Sequence, residues 1–383
     1  MKIQLHKPNF DLREIQFLKN CIKTGWVSNQ GKYVNLFKKR INQFTNSNYV
    51  VPTVNGTSAL HISLKLSDVK ENDEIIVPTI TYIATINPIL YLKASPIFLD
   101  VSSDLNISVS ALKKFIDEET FFKNGCTYNK LSKKKISAII VTHVFGNAVD
   151  IKPILKICKK RKIKIIEDAA ESLGTFYKKN YLNNKHTGTL GNFGCLSFNG
   201  NKIITTGGGG AVLIKKKRDY EYCNYLSDQA KDNKIFSIHN ETGFNYKLSN
   251  IQSALGCAQF EKLKKYLTKK EKIHKNYLKL FKNNKNFSIL KPNSFYKSNY
   301  WLNVLIVKNT KKFPLKKLIK KLIKNNIEVR PIWKLNHTQL PFKKFQKYKI
   351  KNANQIISTH LCIPSSPDLT FQDQRTIYKI INA

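Results

Sequence analysis

Two side chains in this sequence have the types and surroundings that covalent catalysis by an amine requires. Lys202 is the only charged residue between Lys185 and Lys215, although the chain carries 66 lysine and arginine residues. A small, uncharged, glycine-rich segment of this kind desolvates an amine and favours its nucleophilic form. Asp168 follows an apolar run that predicts a buried strand, where a carboxylate must be paired or take part in chemistry.

A nucleophilic lysine and a buried carboxylate together match the requirements of pyridoxal phosphate chemistry. The lysine forms a Schiff base with that cofactor, and the carboxylate keeps its pyridine nitrogen protonated. Each residue also has an ordinary structural interpretation. Lys202 could be one more solvated lysine, and Asp168 could cap a helix or hold a salt bridge. These alternatives remain open at the level of the two residues alone.

A turn between a predicted strand and a predicted helix could bind the phosphate group of such a cofactor. It contains Gly56, Thr57 and Ser58. Free N–H groups and the dipole at a helix N-terminus bind anions, although simple helix capping by Thr57 or Ser58 would look the same. Tyr82 follows the next predicted strand, where its ring could stack on a pyridine or fill the core.

The pattern of apolar segments predicts the elements that must position these residues. Seven short strands are predicted at residues 49–54, 74–77, 96–99, 136–141, 163–166, 195–198 and 211–214. Helical patterns occur at about 9–24, 32–45, 57–67, 82–93, 109–117 and 151–162. Such alternation predicts an α/β fold with a mostly parallel, seven-stranded sheet between helices, whose ligands lie at the carboxyl ends of the strands.

Beyond residue 248 the pattern changes and predicts a second, smaller domain. One long helix is predicted over about 249–281, followed by a strand at 300–307, a helix at 315–323, a strand at 327–332 and a helix at 371–381. We therefore expect a large cofactor-binding domain over residues 1–262 and a small C-terminal α+β domain over residues 263–383.

Composition favours a globular, cytoplasmic protein with no membrane partner. The chain has 383 residues, of which 42% are hydrophobic, and shows neither a signal peptide nor an apolar run of membrane-spanning length. Seven scattered cysteines without a C-x-x-C pair predict reduced, mostly buried thiols. His143 and His186 lack partners at metal-ligand spacing, so we expect structural histidines and no metal.

The formal net charge of +41 raises the possibility of a nucleic-acid-binding protein. Only six of the 66 basic residues are arginine, the residue that best recognises phosphates and base edges. The lysines are spread over predicted helices, as at Lys152, Lys156 and Lys159 on one face of the helix at 151–162. We therefore expect no nucleic-acid partner, and a positive field that attracts an anionic small substrate.

Six motifs, in order along nearly the whole chain, resemble the DegT-type, fold-type-I pyridoxal phosphate aminotransferases that aminate nucleotide-linked keto sugars. They are Gly25-Trp26-Val27-Ser28 with Gly31, Asn55-Gly56-Thr57-Ser58-Ala59-Leu60, Glu167-Asp168-Ala169-Ala170-Glu171, Ser197-Phe198-x-x-x-Lys202, Thr205-Thr206-Gly207, and Gly243-x-Asn245-Tyr246-Lys247. The segments 199–210, 300–303 and 330–333 look most like the branch of legionaminic acid and related pathways.

The resemblance implies a role for each matching residue. Lys202 would bind the cofactor covalently, Asp168 would pair with its ring nitrogen, and Tyr82 would cover its ring. Ser197 and the turn from Gly56 to Ser58 would hold the phosphate. The remaining implied contacts are Glu171 near the phenolic oxygen, Asn245 at the phosphate of the neighbouring subunit in a homodimer, and Trp26, Tyr300, Arg330 and Trp333 at the sugar or nucleotide.

Three positions depart from many relatives of this type. Gly208 stands in place of glutamate, Glu171 in place of glutamine and Lys247 in place of arginine. The change at Glu171 matters most, because a second carboxylate beside the phenolate of the cofactor is repulsive unless it is protonated or turned away.

The implied reaction moves an amino group from L-glutamate to C4 of a UDP- or GDP-linked 4-keto-6-deoxy sugar, expected to be a 2-acetamido sugar. The products would be 2-oxoglutarate and a 4-amino-4,6-dideoxy sugar nucleotide. Alternatives are amination at C3 and dehydration of the sugar, although dehydrating relatives replace the lysine by histidine. A basic nucleic-acid-binding protein is the alternative from a different class.

Overall fold

The computed structural model describes residues 2–233 and 235–383. Its helices are α1 (Leu12–Thr24), α2 (Lys32–Thr45), α3 (Gly56–Leu66), α4 (Asn87–Tyr91), α5 (Val109–Glu119), α6 (Ile151–Arg161), α7 (Lys179–Leu182), α8 (Lys217–Ser227), α9 (Asn250–Leu280), α10 (Leu315–Lys324), α11 (Asn352–Thr359) and α12 (Phe371–Asn382). Its strands are β1 (Tyr49–Thr53), β2 (Glu74–Pro78), β3 (Ser95–Leu99), β4 (Thr120–Lys123), β5 (Cys126–Asn129), β6 (Ile136–Thr142), β7 (Lys164–Asp168), β8 (Phe176–Tyr177), β9 (Phe193–Ser197), β10 (Gly210–Ile214), β11 (Phe287–Ile289), β12 (Tyr296–Lys297), β13 (Asn303–Val307), β14 (Arg330–Pro331), β15 (Lys347–Tyr348) and β16 (His360–Ile363).

The largest sheet has the strand order β1-β10-β9-β7-β6-β2-β3-β15. Strand β10 is antiparallel to β1 and β9, and every other pairing in this sheet is parallel. The predicted α/β class and the mostly parallel sheet are confirmed. The predicted number of seven strands was wrong, because two residues from the C-terminal part, Lys347–Tyr348, add an eighth strand beside β3.

Helices cover both faces of this sheet, as the alternating pattern predicts. On one face Ile166 and Val212 are buried in the same cluster as Leu60 of α3. On the other face Ile139 is buried with Ile154 of α6. Because both faces are covered, the strands are continuous apolar runs and their carboxyl ends become the place where polar side chains can gather.

The C-terminal part contains a separate antiparallel sheet with the strand order β11-β13-β16-β14. Residues such as Tyr277, Leu305 and Ile377 form a hydrophobic cluster of their own there. Helix α9, predicted at 249–281, contributes Leu263 to the core of the first part and Ile273 to the second. The division at residues 262 and 263 falls inside this helix and stays a prediction.

Three predicted elements differ from the structure. The helix predicted at 82–93 is a 3₁₀ turn at Ile83–Thr85 followed by the short α4, because Pro88 cannot continue a helix that starts earlier. The strand predicted from residue 300 begins at Asn303, since Tyr300 has a left-handed backbone with φ of 51°. The strand predicted at 327–332 is reduced to β14.

The remaining composition-based expectations concern cysteines and membranes. All seven cysteines are free thiols, and all except Cys126 are buried, which confirms that prediction. Within residues 2–233 and 235–383, no helix combines the length and the apolar character needed to cross a bilayer.

Candidate active site

A cavity of about 430 Å³ lies at the carboxyl ends of the parallel strands. Thr142, Asp168 and Ser197 end β6, β7 and β9 and reach its wall together, because these three strands are parallel neighbours. The predicted site residues that line it are Gly56, Thr57, Tyr82, Asp168, Glu171, Ser197, Lys202 and Trp333. The structure therefore brings together residues that lie far apart in the sequence.

Asp168 is buried at the end of β7 and accepts two hydrogen bonds. The hydroxyl of Thr85 donates to Oδ2 at 2.6 Å, and the backbone N–H of Ala170 donates to Oδ1 at 3.1 Å. Burial raises the pKa of Asp168 above its ordinary value, while these donors and the charge of Lys202 favour the ionised form. A cation bound beside this carboxylate would be strongly attracted to it.

Lys202 lies in the neutral loop between β9 and β10, and its side chain is 14% exposed. The backbone N–H of Lys202 donates to the carbonyl of Asn199 at 3.0 Å. Its Nζ lies 4.1 Å from the centre of the Trp301 ring, whose indole N–H donates to the carbonyl of Asn201 at 2.8 Å. The indole thus covers the amine and is itself fixed by the same loop.

Glu171 is the second carboxylate in the cavity. Its Oε1 lies 3.5 Å from Nζ of Lys202, and its Oε2 accepts the backbone N–H of Phe145 at 2.8 Å. Burial raises the pKa of Glu171 to about 7, despite the opposing effect of the Lys202 charge. Near neutral pH this group is therefore poised between its protonated and ionised forms, which relieves the repulsion expected from a second carboxylate.

Glu167 points away from the cavity and organises the loop before β9. Its carboxylate accepts the N–H groups of Gly188, Leu190 and Gly191 at 2.5–2.8 Å. His143 Nδ1 accepts the N–H of Val149, so its protonated Nε2 donates to Glu167 at 3.0 Å. Burial opposes ionisation, yet His143 and the N–H donors lower the pKa of Glu167 below its ordinary value.

The two histidines are structural, as predicted. His143 is fully buried between Glu167 and Val149. His186 is also buried; its Nε2 accepts the N–H of Gly174 at 2.9 Å, and its Nδ1 is hydrogen-bonded to the carbonyl of Thr187. Burial lowers the pKa of His186 to about 4, which keeps the imidazole neutral.

The N-terminus of α3 forms the other end of the cavity. Asn55 caps this helix through the N–H of Ser58 at 2.8 Å, and Ser58 itself does not line the cavity. The first N–H groups of an α-helix have no partner within the helix, so those of Gly56 and Thr57 can bind an anion. A Cβ at position 56 would lie 3.1 Å from Cβ of Ser197, so glycine allows this close approach.

The other predicted contacts are distributed around this cavity. Tyr82 is half-exposed, with its ring centre 6.2 Å from that of Trp333. Arg330 lies outside, paired with Glu328 at 2.7 Å, and lines an adjoining cavity. Three predicted contacts lie elsewhere in the chain: Trp26, which is exposed, Tyr300, which stacks on His274, and Asn245, which is exposed.

Several residues at the site were not anticipated from the sequence. Thr85 binds Asp168, Phe145 supplies an N–H to Glu171, and Trp301 covers Lys202. Trp301 stands next to Tyr300 in the segment 300–303, whose two neighbouring aromatic residues indicate a ligand contact, and the contact comes from Trp301 and not from the predicted Tyr300. Nothing in the sequence around Thr85 or Phe145 indicates a role at the site, because their contacts with Asp168 and Glu171 arise from the packing of the chain.

The arrangement supplies the parts needed for amine chemistry. A shielded amine lies 3.5 Å from one carboxyl group, which titrates near neutral pH, and shares the cavity with a second carboxylate that is held ready to pair with a cation. An anion-binding helix end lies across the same cavity. These groups can hold a phosphorylated aldehyde, and the amine can move a proton.

Comparisons with known proteins place the chain among sugar-modifying enzymes. The model of the DegT/DnrJ/EryC1/StrS aminotransferase family matches residues 8–382. GDP-perosamine synthase of Escherichia coli O157:H7 is 30% identical over 382 residues, covering 99% of this chain and 98% of that protein. UDP-4-amino-4,6-dideoxy-N-acetyl-beta-L-altrosamine transaminase of Campylobacter jejuni is 28% identical over 374 residues, covering 96% and 94%.

A solved structure has the same fold. The E. coli GDP-4-keto-6-deoxy-D-mannose-3-dehydratase with bound hydrated PLP superposes with a TM-score of 0.87 at 21% identity, covering 100% of this chain and 99% of that one. At this identity the likeness concerns the fold alone. It confirms the predicted architecture of a mostly parallel sheet between helices.

Proposed function

Because this chain belongs to the DegT/DnrJ/EryC1/StrS aminotransferase family, we propose that it transfers the amino group of L-glutamate to C4 of a nucleotide-linked 4-keto-6-deoxy sugar. The family that the six motifs predicted is confirmed. The chain is an aminotransferase of nucleotide sugars with pyridoxal 5'-phosphate as its cofactor, which also confirms the predicted enzyme class and cofactor. The observation that carries the proposal is the shielded amine of Lys202, which lies 3.5 Å from Glu171 in a cavity that Asp168 also lines.

The proposed substrate is a UDP- or GDP-linked sugar, with a 2-acetamido group in the UDP case. The name of the C. jejuni relative places an amino group at C4 of a UDP-linked 4,6-dideoxy sugar, and that of the E. coli relative specifies a GDP-linked sugar. A 4-amino-4,6-dideoxy sugar nucleotide and 2-oxoglutarate are the proposed products. Synthesis of legionaminic acid or a related sugar is the proposed use of the product, in the cytoplasm.

The residues of the cavity fit pyridoxal phosphate. Lys202 offers an amine for the aldehyde, and Asp168 offers a buried carboxylate for the ring nitrogen. Gly56, Thr57 and Ser197 offer donors for the phosphate, where a side chain at position 56 would crowd Ser197. When bound, the cofactor supplies a reactive aldehyde and a ring that accepts an electron pair.

In the proposed cycle the protein's own groups position and move protons. Nζ of Lys202 would accept the proton from Cα of the amino donor and pass it to the cofactor within the same half-reaction, and in the second half it would carry a proton from the cofactor to C4 of the sugar. Trp301 lies over this amine and excludes water from it. Asp168 supplies a fixed negative charge that is already in place before the reaction, and Glu171 places a second carboxyl group 3.5 Å from the amine.

The functional unit is proposed to be a homodimer with shared active sites. Asn245 is exposed and does not line the cavity of its own chain, which suits a contact with the cofactor phosphate of a partner. Mixing Lys202→Ala and Asn245→Asp chains in equal amounts would then restore about one quarter of wild-type activity, because half of the dimers gain one intact site. If the mixture is no more active than the Asn245→Asp chain alone, the result contradicts shared active sites.

The proposed reaction is tested by supplying glutamate with UDP- and GDP-linked 4-keto-6-deoxy sugars side by side. Formation of 2-oxoglutarate together with a 4-amino sugar nucleotide supports the proposal, provided that Lys202→Ala abolishes both. A 3-amino product, a dehydrated sugar or no product with either nucleotide contradicts it.

A further inference from the structure

A second cavity of about 510 Å³ adjoins the cavity of Lys202. The two cavities share Asn201, Trp301 and Trp333, so a molecule bound at Lys202 can extend from one into the other. His6 and Arg330 are polar residues of its wall. This second cavity has the size of a ligand site, and His6 has no assigned role.

The backbone on both sides of His6 is fixed by the C-terminal part. The N–H of Leu5 donates to Glu328 at 3.2 Å, and the carbonyl of Leu5 accepts the N–H of Ser365 at 2.7 Å. The N–H of Lys7 donates to the hydroxyl of Ser366 at 2.8 Å. Because the flanking residues are held, the imidazole occupies a defined place in the cavity wall.

The imidazole of His6 has unused hydrogen-bonding capacity. Both Nδ1 and Nε2 are buried, and neither has a hydrogen-bond partner in residues 2–233 and 235–383. His143 and His186, which are also buried, use both of their nitrogens. Leaving buried polar atoms unpaired costs free energy, and a partner that binds in the adjoining cavity would remove that cost.

The protonation state of His6 defines which partner fits. Burial lowers the pKa of His6 well below 6.5, and the charges of Lys270 and Lys202 add to this effect. A neutral imidazole has one donor and one acceptor. A hydroxyl group also has both, whereas a carboxylate only accepts and an ammonium group only donates.

We propose that His6 is a specificity-determining residue, which hydrogen-bonds a hydroxyl group of the substrate sugar in the second cavity. The inference rests on the proposed function, because it assumes that the sugar nucleotide reaches Lys202 through this space. The reaction has two halves: glutamate first gives up its amino group, and the sugar then receives it. The inference assigns His6 to the sugar half-reaction and predicts no role for His6 in the glutamate half-reaction.

The test compares His6→Phe and His6→Gln in the cofactor-loaded enzyme, with each half-reaction followed by rapid mixing. Phenylalanine keeps a flat aromatic ring, slightly larger than imidazole, and removes both polar atoms, so kcat/KM for the keto sugar nucleotide should fall about 10- to 100-fold, mainly through KM. The rate with glutamate should stay within about twofold of wild type by the same reasoning. Glutamine, which has a donor and an acceptor, should recover part of the loss.

Stability separates this role from a structural one. Since the imidazole has no partner among the described residues of the free protein, His6→Phe should melt at or above the wild-type temperature. Lys7→Gln, which changes the neighbouring exposed side chain and loses only its salt bridge to Asp368, is the matched control and should behave as wild type.

Three results would overturn the inference. They are an unchanged sugar half-reaction in His6→Phe, an equal loss in both half-reactions, and a loss that follows a lowered melting temperature. If the wild-type enzyme aminates neither the UDP- nor the GDP-linked substrate, the proposed function fails and the inference falls with it. Turnover by wild type with no effect of His6→Phe leaves the function standing and removes only the role of His6.

Discussion

The amine of Lys202 lies 3.5 Å from Oε1 of Glu171, in a cavity where both side chains are largely removed from water. The same carboxylate accepts the N–H of Phe145, so it cannot turn away without losing that bond. Burial holds the pKa of Glu171 at about 7. The carboxyl group beside the reactive amine therefore gains or loses its charge within the pH range in which enzymes work.

Replacing Glu171 by glutamine should change how stability depends on pH. The folded-state pKa is raised above the ordinary value of 4.5, so wild type loses free energy of unfolding as pH rises from about 4.5 through 7. Glu171→Gln lacks this loss and should gain up to about 3 kcal/mol relative to wild type over that window. Urea unfolding of cofactor-free protein at pH 5 and pH 8 measures it.

The control for this experiment is Glu221→Gln, which removes an exposed carboxylate that, within residues 2–233 and 235–383, has a salt bridge to Lys217 alone. Its difference from wild type should stay within about 0.5 kcal/mol at both pH values. If Glu171→Gln also shows a constant difference, Glu171 titrates at its ordinary pKa.

Lys202→Ala should abolish covalent attachment of the cofactor and lower the rate of amino transfer at least about 10³-fold, because the nucleophile and proton carrier are lost together. Borohydride reduction followed by peptide mass mapping checks the attachment. The exposed Lys185→Ala is the control and should retain the label at position 202. A label on any other amine contradicts the assignment.

Asp168→Asn should lower kcat about 10³-fold, because it removes a charge that is fixed in place before the reaction. Thr85→Val tests the support of that charge: it deletes the hydroxyl that donates to Asp168 at 2.6 Å. This change raises the pKa of Asp168 further and should move the acid limb of the glutamate half-reaction to higher pH. Exposed Thr268→Val serves as control, and an unmoved limb in Thr85→Val counts against the role of the hydroxyl.

Glu167→Gln should destabilise the fold without removing a group from the cavity. The carboxylate accepts three N–H groups and the Nε2–H of His143, and an amide would turn an NH₂ group toward some of these donors. The expected cost is about 3–5 kcal/mol, visible as a lower melting temperature against Glu221→Gln. A melting temperature equal to that of the control would show that the loop before β9 is held by other contacts.

Local patterns were sufficient for much of the fold. The seven predicted strands are apolar runs whose burial on both faces is visible in composition, and the long helix at 249–281 has a sustained apolar stripe. Strand β15 contains two residues and has no periodicity to recognise, and of the strand predicted at 327–332 only the two residues of β14 are paired. They exist because a partner strand lies beside them, so chain packing creates them.

The amino-acid order alone predicted chemistry at Lys202 and Asp168, because a lone lysine in a neutral loop and a carboxylate after a buried strand are local facts. Tertiary packing decided what surrounds them. Thr85 reaches Asp168 across 83 positions, Trp301 covers Lys202, and His6 joins the adjoining cavity from the start of the chain. Such contacts depend on how whole elements pack against one another, and neither the spacing nor the periodicity of residues encodes that arrangement.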